Sequence, residues 1–151
     1  MWAIKKALER VEARTTVMTF DTHTNLLYEA EEKAGAGVLK DAGADGGTNP
    51  EHALLYSKKI LAESDKPIKI LFMITDGSWN TDKGEKAIIE MKNAGVLTCQ
   101  ALIAGGEMSP EHLNHYRHEF ELMTSMKSAK DILILGKELV RMAIARNLVN
   151  A

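Results

Sequence analysis

The sequence is poor in the features that mark secreted, membrane-spanning and nucleic-acid-binding proteins. It has one cysteine, Cys99, and therefore cannot form an internal disulfide. No apolar run approaches the roughly 20 residues that a membrane-spanning helix needs, and the apolar stretch at the amino terminus is too short for a signal peptide. The net charge of -2 gives no electrostatic reason to expect nucleic acid or an anionic membrane as a partner. We therefore expect a cytoplasmic protein with neither partner.

The length and composition are those of an ordinary globular domain. A chain of 151 residues is long enough for one sizeable core, and its hydrophobic content of 45% and charged content of 26% are typical values. We expect residues 1–151 to form a single domain.

Alternating apolar patterns predict an α/β fold. A helix over 2–13 precedes a hairpin with strands over 15–20 and 26–28, and residues 29–45 are mostly loop. Further along, predicted helices over 50–63, 83–93, 109–123 and 137–148 alternate with predicted strands over 68–74, 96–104 and 132–135. This alternation indicates a mostly parallel, Rossmann-like sheet with helices on both faces.

Two polar loops in this pattern suit a divalent cation. Residues 45–50 read Asp-Gly-Gly-Thr-Asn-Pro and lead directly into a helix, and residues 73–78 read Met-Ile-Thr-Asp-Gly-Ser at the end of a buried strand. The Thr48 hydroxyl and the Asp76 carboxylate are oxygen ligands of the kind that hard divalent cations take. Both loops would lie beyond the carboxyl ends of strands, where open α/β sheets bind ligands.

In order, residue type and spacing, these loops resemble the metal-ion-dependent adhesion site of the von Willebrand factor A (VWA) domain. That site combines an Asp-x-Ser-x-Ser motif after the first strand, a Thr in a Gly-Gly-Thr loop and an Asp in Thr-Asp-Gly. Thr48 and Asp76 match the second and third parts, but nothing before Thr48 reads Asp-x-Ser-x-Ser. The resemblance covers nearly the whole chain and implies a VWA-like domain that is N-terminally incomplete, with its first central strand absent.

The absent strand has a physical consequence. In the family it lies between the strands that match 15–20 and 68–74 here, and an empty position would leave buried backbone groups unpaired. The two flanking strands must then pair directly, or flank a strand donated by another chain, or the chain is a fragment. An oligomer is one form that strand donation could take.

The resemblance also implies a ligand set. Thr48 would bind Mg²⁺ or Mn²⁺ through its hydroxyl, Asp76 would bind the ion directly or through water, and a partner protein's acidic side chain would complete the site. Asp21, after the predicted strand 15–20, is either an outer ligand or a turn former. Because Mg²⁺ prefers six near-octahedral oxygens, we expect weak or no binding by this chain alone. The alternative is that Thr48 and Asp76 serve only as turn and cap residues.

Other candidate sites are weaker. Three histidines, His112, His115 and His118, lie three residues apart on the predicted helix and could share a zinc ion, although such a stripe is more typical of solvated surface. No serine has a nucleophile-elbow context, and Cys99 lies in an apolar run where a buried, inert thiol is expected.

We therefore expect an interaction protein and not an enzyme. The resemblance implies a VWA-like module that is divalent-metal-dependent when complete and works as a subunit of a larger intracellular assembly, chelatase-type or ATPase-associated. The alternative is a structural or assembly protein that keeps the scaffold and binds without metal.

Overall fold

The structure is a computed structural model that describes residues 2–10, 12–33, 47–103 and 109–150. Most of the stretch expected to be loop lies outside these residues, as do Asp45 and Gly46 of the first polar loop. Within them the chain forms, in order, α1 (Trp2–Glu9), β1 (Val17–Phe20), β2 (Thr24–Tyr28), α2 (Glu51–Glu63), β3 (Ile70–Thr75), α3 (Asp82–Asn93), β4 (Leu97–Ile103), α4 (Pro110–His115), β5 (Leu122–Met126) and α5 (Ala129–Asn150).

The strands form two separate sheets. β1 and β2 make the predicted antiparallel hairpin, with Met18 opposite Leu26 and Phe20 opposite Thr24. β3, β4 and β5 make a parallel sheet in that order, which confirms an α/β arrangement compatible with a Rossmann-like fold.

Direct pairing of the strands over 15–20 and 68–74, one of the three alternatives, does not occur in the described residues. In the described parts of the chain, β1 pairs with β2 alone and β3 pairs with β4 alone. Just after β1, the Asn49 N–H donates to the Asp21 carbonyl at 2.6 Å, so this end of the strand is tied to the loop before α2. Donation of a strand by another chain stays a prediction.

Helices cover both faces of the parallel sheet. On one face α2 and α3 pack onto β3, with a core that includes Leu54, Met73, Ile88 and Met91. On the other face α5 packs onto β4 through contacts that include Leu97, Cys99, Leu139 and Ala143. Side chains of successive strand residues point to opposite faces, so both faces of an apolar strand become buried.

The segment after β4 departs from the sequence-based prediction. The predicted helix over 109–123 ends at His115, and the chain forms β5 from Leu122. His118 has a φ of 50°, which lies in the left-handed region and is incompatible with a continuing α-helix. The predicted strand over 132–135 is also wrong, because these residues lie within α5.

Hydrogen bonds to the Asp131 carboxylate explain why α5 starts where it does. Ser128 directly precedes the helix, and the Asp131 carboxylate in its first turn accepts hydrogen bonds from the N–H groups of Lys127 and Ser128, both at 2.8 Å. These bonds to the charged form lower the pKa of Asp131.

Although α5 is the longest helix described, no helix in the described ranges combines the length and hydrophobicity that crossing a bilayer requires.

Cys99 is buried in the middle of β4, as predicted, with 2% of its surface exposed. Burial raises the pKa of its thiol to about 11, because the thiolate loses hydration there. At pH 8 we therefore expect the native protein to react with iodoacetamide at least about a hundredfold more slowly than the guanidinium-denatured chain. Equal alkylation rates, measured by mass spectrometry, would show that the thiol is accessible in the folded state.

Candidate functional site

Asp76 lies at the carboxyl end of β3, directly after its last residue. Its side chain is exposed, and one carboxylate oxygen, Oδ1, accepts the Ser78 N–H at 3.0 Å. The buried hydroxyl of Thr75 accepts the Gly77 N–H at 3.2 Å, so two local hydrogen bonds shape this turn. The turn presents the Asp76 carboxylate to solvent beyond the sheet.

Thr48 lies in the loop that leads into α2 and is also exposed. The loop is fixed by its neighbour Asn49, whose N–H donates to the Asp21 carbonyl and whose side-chain oxygen accepts the Glu51 N–H at 3.1 Å. Asn49 therefore satisfies a backbone donor at the start of α2.

Asp21 follows β1 and is largely buried, with 9% of its surface exposed. Its Oδ1 accepts the His23 N–H at 2.6 Å and lies 3.4 Å from the Thr22 hydroxyl, which donates to it. This is the hydrogen bonding of an Asx turn and supports the turn-forming role of Asp21. We call Asp21, Thr48 and Asp76 together the loop edge.

Glu51, in the first turn of α2, connects the Thr48 loop to the segment that follows Asp76. Its carboxylate accepts a hydrogen bond from the Thr81 hydroxyl and lies 3.6 Å from the Lys83 ammonium group. The Thr81 bond is the main reason that the pKa of Glu51 is lowered, and Lys83 adds to the effect. The Thr81 hydroxyl also caps α3 by accepting the Gly84 N–H. This link joins residues 30 positions apart, and no local sequence pattern predicts it.

His118, which follows α4, also contacts the Asp76 turn. Its ring stacks on Trp79 with 3.7 Å between centroids, its Nε2 lies 3.1 Å from the Gly77 carbonyl oxygen, and its Nδ1 lies 2.9 Å from a Glu85 carboxylate oxygen. Both neighbouring oxygens are acceptors, so an imidazolium ring can donate to both and a neutral ring to one of them. His118 thus joins the Asp76 turn to α3.

The predicted histidine stripe does not form. His112 and His115 lie on α4, whereas His118 lies beyond its end with its ring on Trp79. Across the residues that the structure describes, no three His, Cys, Asp or Glu side chains come together as a group that could hold a metal ion. A site at the loop edge would therefore depend on hydroxyl and water ligands beside Asp76.

The donor chemistry at the loop edge fits a hard cation in part. Asp76 and Thr48 offer exposed oxygens, the ligand type that Mg²⁺ and Mn²⁺ prefer. The Asp21 carboxylate is already engaged in its own turn. Such a set supplies few protein ligands, so an ion held there would keep most of its water.

Comparison of the chain with protein-family models and with curated proteins finds no match.

Proposed function

We propose that this chain is a VWA-like protein-interaction module whose loop edge binds Mg²⁺ or Mn²⁺ when the domain is complete. The partner would be a protein that offers an acidic side chain to the ion, and the module would serve as a subunit of a larger assembly of the chelatase or ATPase-associated type. The proposal rests on the resemblance carried by Thr48 and Asp76 and on the way in which their loops are held.

The observation that carries the proposal is a set of hydrogen bonds joining the three segments of the loop edge. Asn49 bonds the Thr48 loop to the residue after β1, and Glu51 bonds the same region to Thr81, five residues beyond Asp76. Hydrogen bonds that hold loops bearing exposed oxygens suit a metal-assisted contact. When bound, the ion would supply the positive charge that attracts a partner carboxylate.

Mn²⁺ provides a direct test, because its paramagnetism broadens NMR signals even when binding is weak. We expect titration of the present chain to broaden amide signals around Thr48 and Asp76 first and to show no tight site, since so few protein ligands are available. Asp76→Ala should abolish this selective broadening and leave the circular dichroism spectrum unchanged. Asp65→Ala, which removes an exposed carboxylate elsewhere, is the matched control and should leave the broadening as it is.

The same variant tests the complete module. A chain extended at its amino terminus by a strand ending in Asp-x-Ser-x-Ser should bind Mg²⁺ more tightly, and Asp76→Ala should abolish that binding. Tight Mg²⁺ binding by the present chain that survives Asp76→Ala would place the ion elsewhere and refute the proposal.

A metal-independent structural or assembly protein is the second candidate. It is favoured by the hydrogen bonds that Asp21 and Asp76 make within their own turns, because such bonds shape loops without any ion. In that case Mn²⁺ would broaden no signals selectively, and a chelator would not change any association of the protein.

A further inference from the structure

A surface cleft lies between the β1–β2 hairpin and α2. We call it the hairpin–helix cleft; its volume is about 500 Å³, within the roughly 300–1,000 Å³ range of ligand-binding clefts. Met18 and Leu26, which face each other across the hairpin ladder, form one wall. Leu55 and Tyr56 of α2 form the other.

The two walls leave apolar surface open to water. Leu26 is 42% exposed and Tyr56 is 40% exposed, although both are large hydrophobic side chains. An apolar group that enters the cleft between them removes both side chains from water. This burial would stabilise the bound state.

The polar groups of the cleft indicate the charge of its occupant. Lys59 and His52 lie along the same side of α2, and no Asp or Glu is among the described residues that line the cleft. The neighbouring Lys58 is paired with Glu90 of α3, whereas Lys59 has no ion-pair partner within the described ranges. A cation left without a partner at the mouth of an apolar cleft complements a negative group next to an apolar one.

The cleft also contains an unpaired hydroxyl. Thr24 Oγ1 is buried and has no hydrogen-bond partner, which is uncommon for a buried polar atom. Because the hydroxyl is closed to solvent, it belongs to the wall of the cleft and is not a contact for an occupant. Together, the apolar walls and the free cation match a segment that carries an apolar and an acidic side chain better than they match a purely apolar ligand.

We propose that the hairpin–helix cleft docks a segment of a partner protein in which a large apolar side chain stands beside an acidic one. The apolar side chain lies between Leu26 and Tyr56, and the carboxylate pairs with Lys59. Because the walls are open, a small molecule would stay partly exposed, whereas a segment belonging to a folded partner extends its contacts beyond the cleft. This docking does not require an ion at the loop edge.

The test is an NMR titration of the ¹⁵N-labelled chain in the presence of a chelator. The probes are short acetylated peptides in which Leu, Phe, Met or Trp stands next to Glu or one residue away from it, in a background of Gly and Ser. We expect the amide signals of Leu26, Tyr56 and Lys59 to shift for at least one Glu peptide. Replacing its Glu by Gln should weaken binding about threefold, the size of effect typical of an exposed ion pair.

Variants turn this titration into a double-mutant cycle. Lys59→Gln should weaken the Glu peptide about threefold and leave the Gln peptide unchanged, because the lost pair exists only with Glu. Lys66→Gln, which neutralises an exposed lysine outside the cleft, should change neither affinity. Tyr56→Ala should weaken both peptides about fivefold by removing one apolar wall.

Three outcomes would overturn the proposal. In the first, no peptide shifts the three amide signals at millimolar concentration, as would also happen if the chain's own polypeptide or a second copy already filled the cleft. In the second, Gln and Glu peptides bind equally well. In the third, Lys66→Gln weakens binding as much as Lys59→Gln does. Asp76→Ala should leave the peptide affinities unchanged, so this test and the metal test can fail separately.

Discussion

Replacing Gly77 by alanine should lower the free energy of unfolding by about 3 kcal/mol. Gly77 has a φ of +88°, a conformation that L-residues with a side chain rarely adopt. A methyl group there would also lie 2.9 Å from Leu102 and from two ring atoms of Tyr116, closer than non-bonded carbon atoms approach. Backbone strain and overpacking therefore both act at this position.

Gly95→Ala is the matched control for this substitution. Gly95 ends α3 with a φ of +83°, but an added methyl group would have nothing within 4 Å. This variant should therefore show the strain alone, about 1 kcal/mol. Urea unfolding gives the loss in free energy of unfolding for each variant. The difference between the two losses is the cost of the close contact at Gly77. Equal losses would mean that Leu102 and Tyr116 move aside at no cost.

The Gly77 variant also tests how the Asp76 turn is held. The Gly77 carbonyl faces His118 Nε2, and its N–H donates to Thr75. A shift of this residue would disturb both contacts and move the adjacent Asp76. We therefore expect Gly77→Ala to change the NMR signal of the Trp79 indole, because His118 stacks on that ring.

The elements on both sides of the Asp76 turn were predictable because their signals are local. An uncharged apolar run marks β3, and Gly95, with its positive φ, marks the end of α3. The hairpin followed from β-branched and apolar residues around a polar turn. In each case the residues that form the element also carry the information that specifies it.

The two errors near the carboxyl terminus have different causes. Leu122 and Met123 fell within the predicted helix, yet they form β5. The parallel pairing with β4 that places them there is a long-range interaction, which periodicity does not contain. The β-branched Ile132 suggested a strand, but the Asp131 carboxylate accepts the Ser128 N–H and starts a helix there. That signal was present in the sequence and was missed.

The predicted site residues were located by motif, whereas the residues that hold them were not. Thr48 and Asp76 are exposed on loops, as expected. The roles of Glu51 and His118 depend on contacts across 30 and 41 residues of sequence, which no local pattern specifies. Tyr56 lies on the apolar stripe of α2 by its spacing, yet it is half-exposed, because the cleft leaves that part of the stripe uncovered.

Lys5 is the side chain whose truncation should most disturb the hairpin. Only 1% of its surface is exposed, and its ammonium group donates to the Thr15 carbonyl at 2.8 Å and to the Glu29 carbonyl at 3.1 Å. Thr15 precedes β1 and Glu29 follows β2, so Lys5 of α1 closes the open end of the hairpin. The ring of Tyr28 lies beneath the charge, with its centroid 5.7 Å from Nζ.

Two substitutions separate the polar and apolar parts of this contact. Lys5→Met keeps most of the side-chain volume but leaves both carbonyls without their donor, and should lower the free energy of unfolding by about 2 kcal/mol. That figure is moderate because removing the charge also relieves the desolvation of a buried ammonium group. Lys5→Ala creates a cavity in addition and should cost about 4 kcal/mol.

Hydrogen exchange shows whether Lys5 acts on the hairpin in particular. In Lys5→Met, the amides of Val17, Leu27 and Tyr28 should exchange faster, because the open end of the hairpin loses its closing contact. The amides of β4 lie in the separate parallel sheet and should keep their native protection until the chain unfolds globally. A uniform increase across both sheets would show instead that Lys5 stabilises the whole chain. Since the hairpin carries Asp21 at its turn and Met18 and Leu26 in the cleft wall, selective fraying would also weaken peptide binding in the cleft.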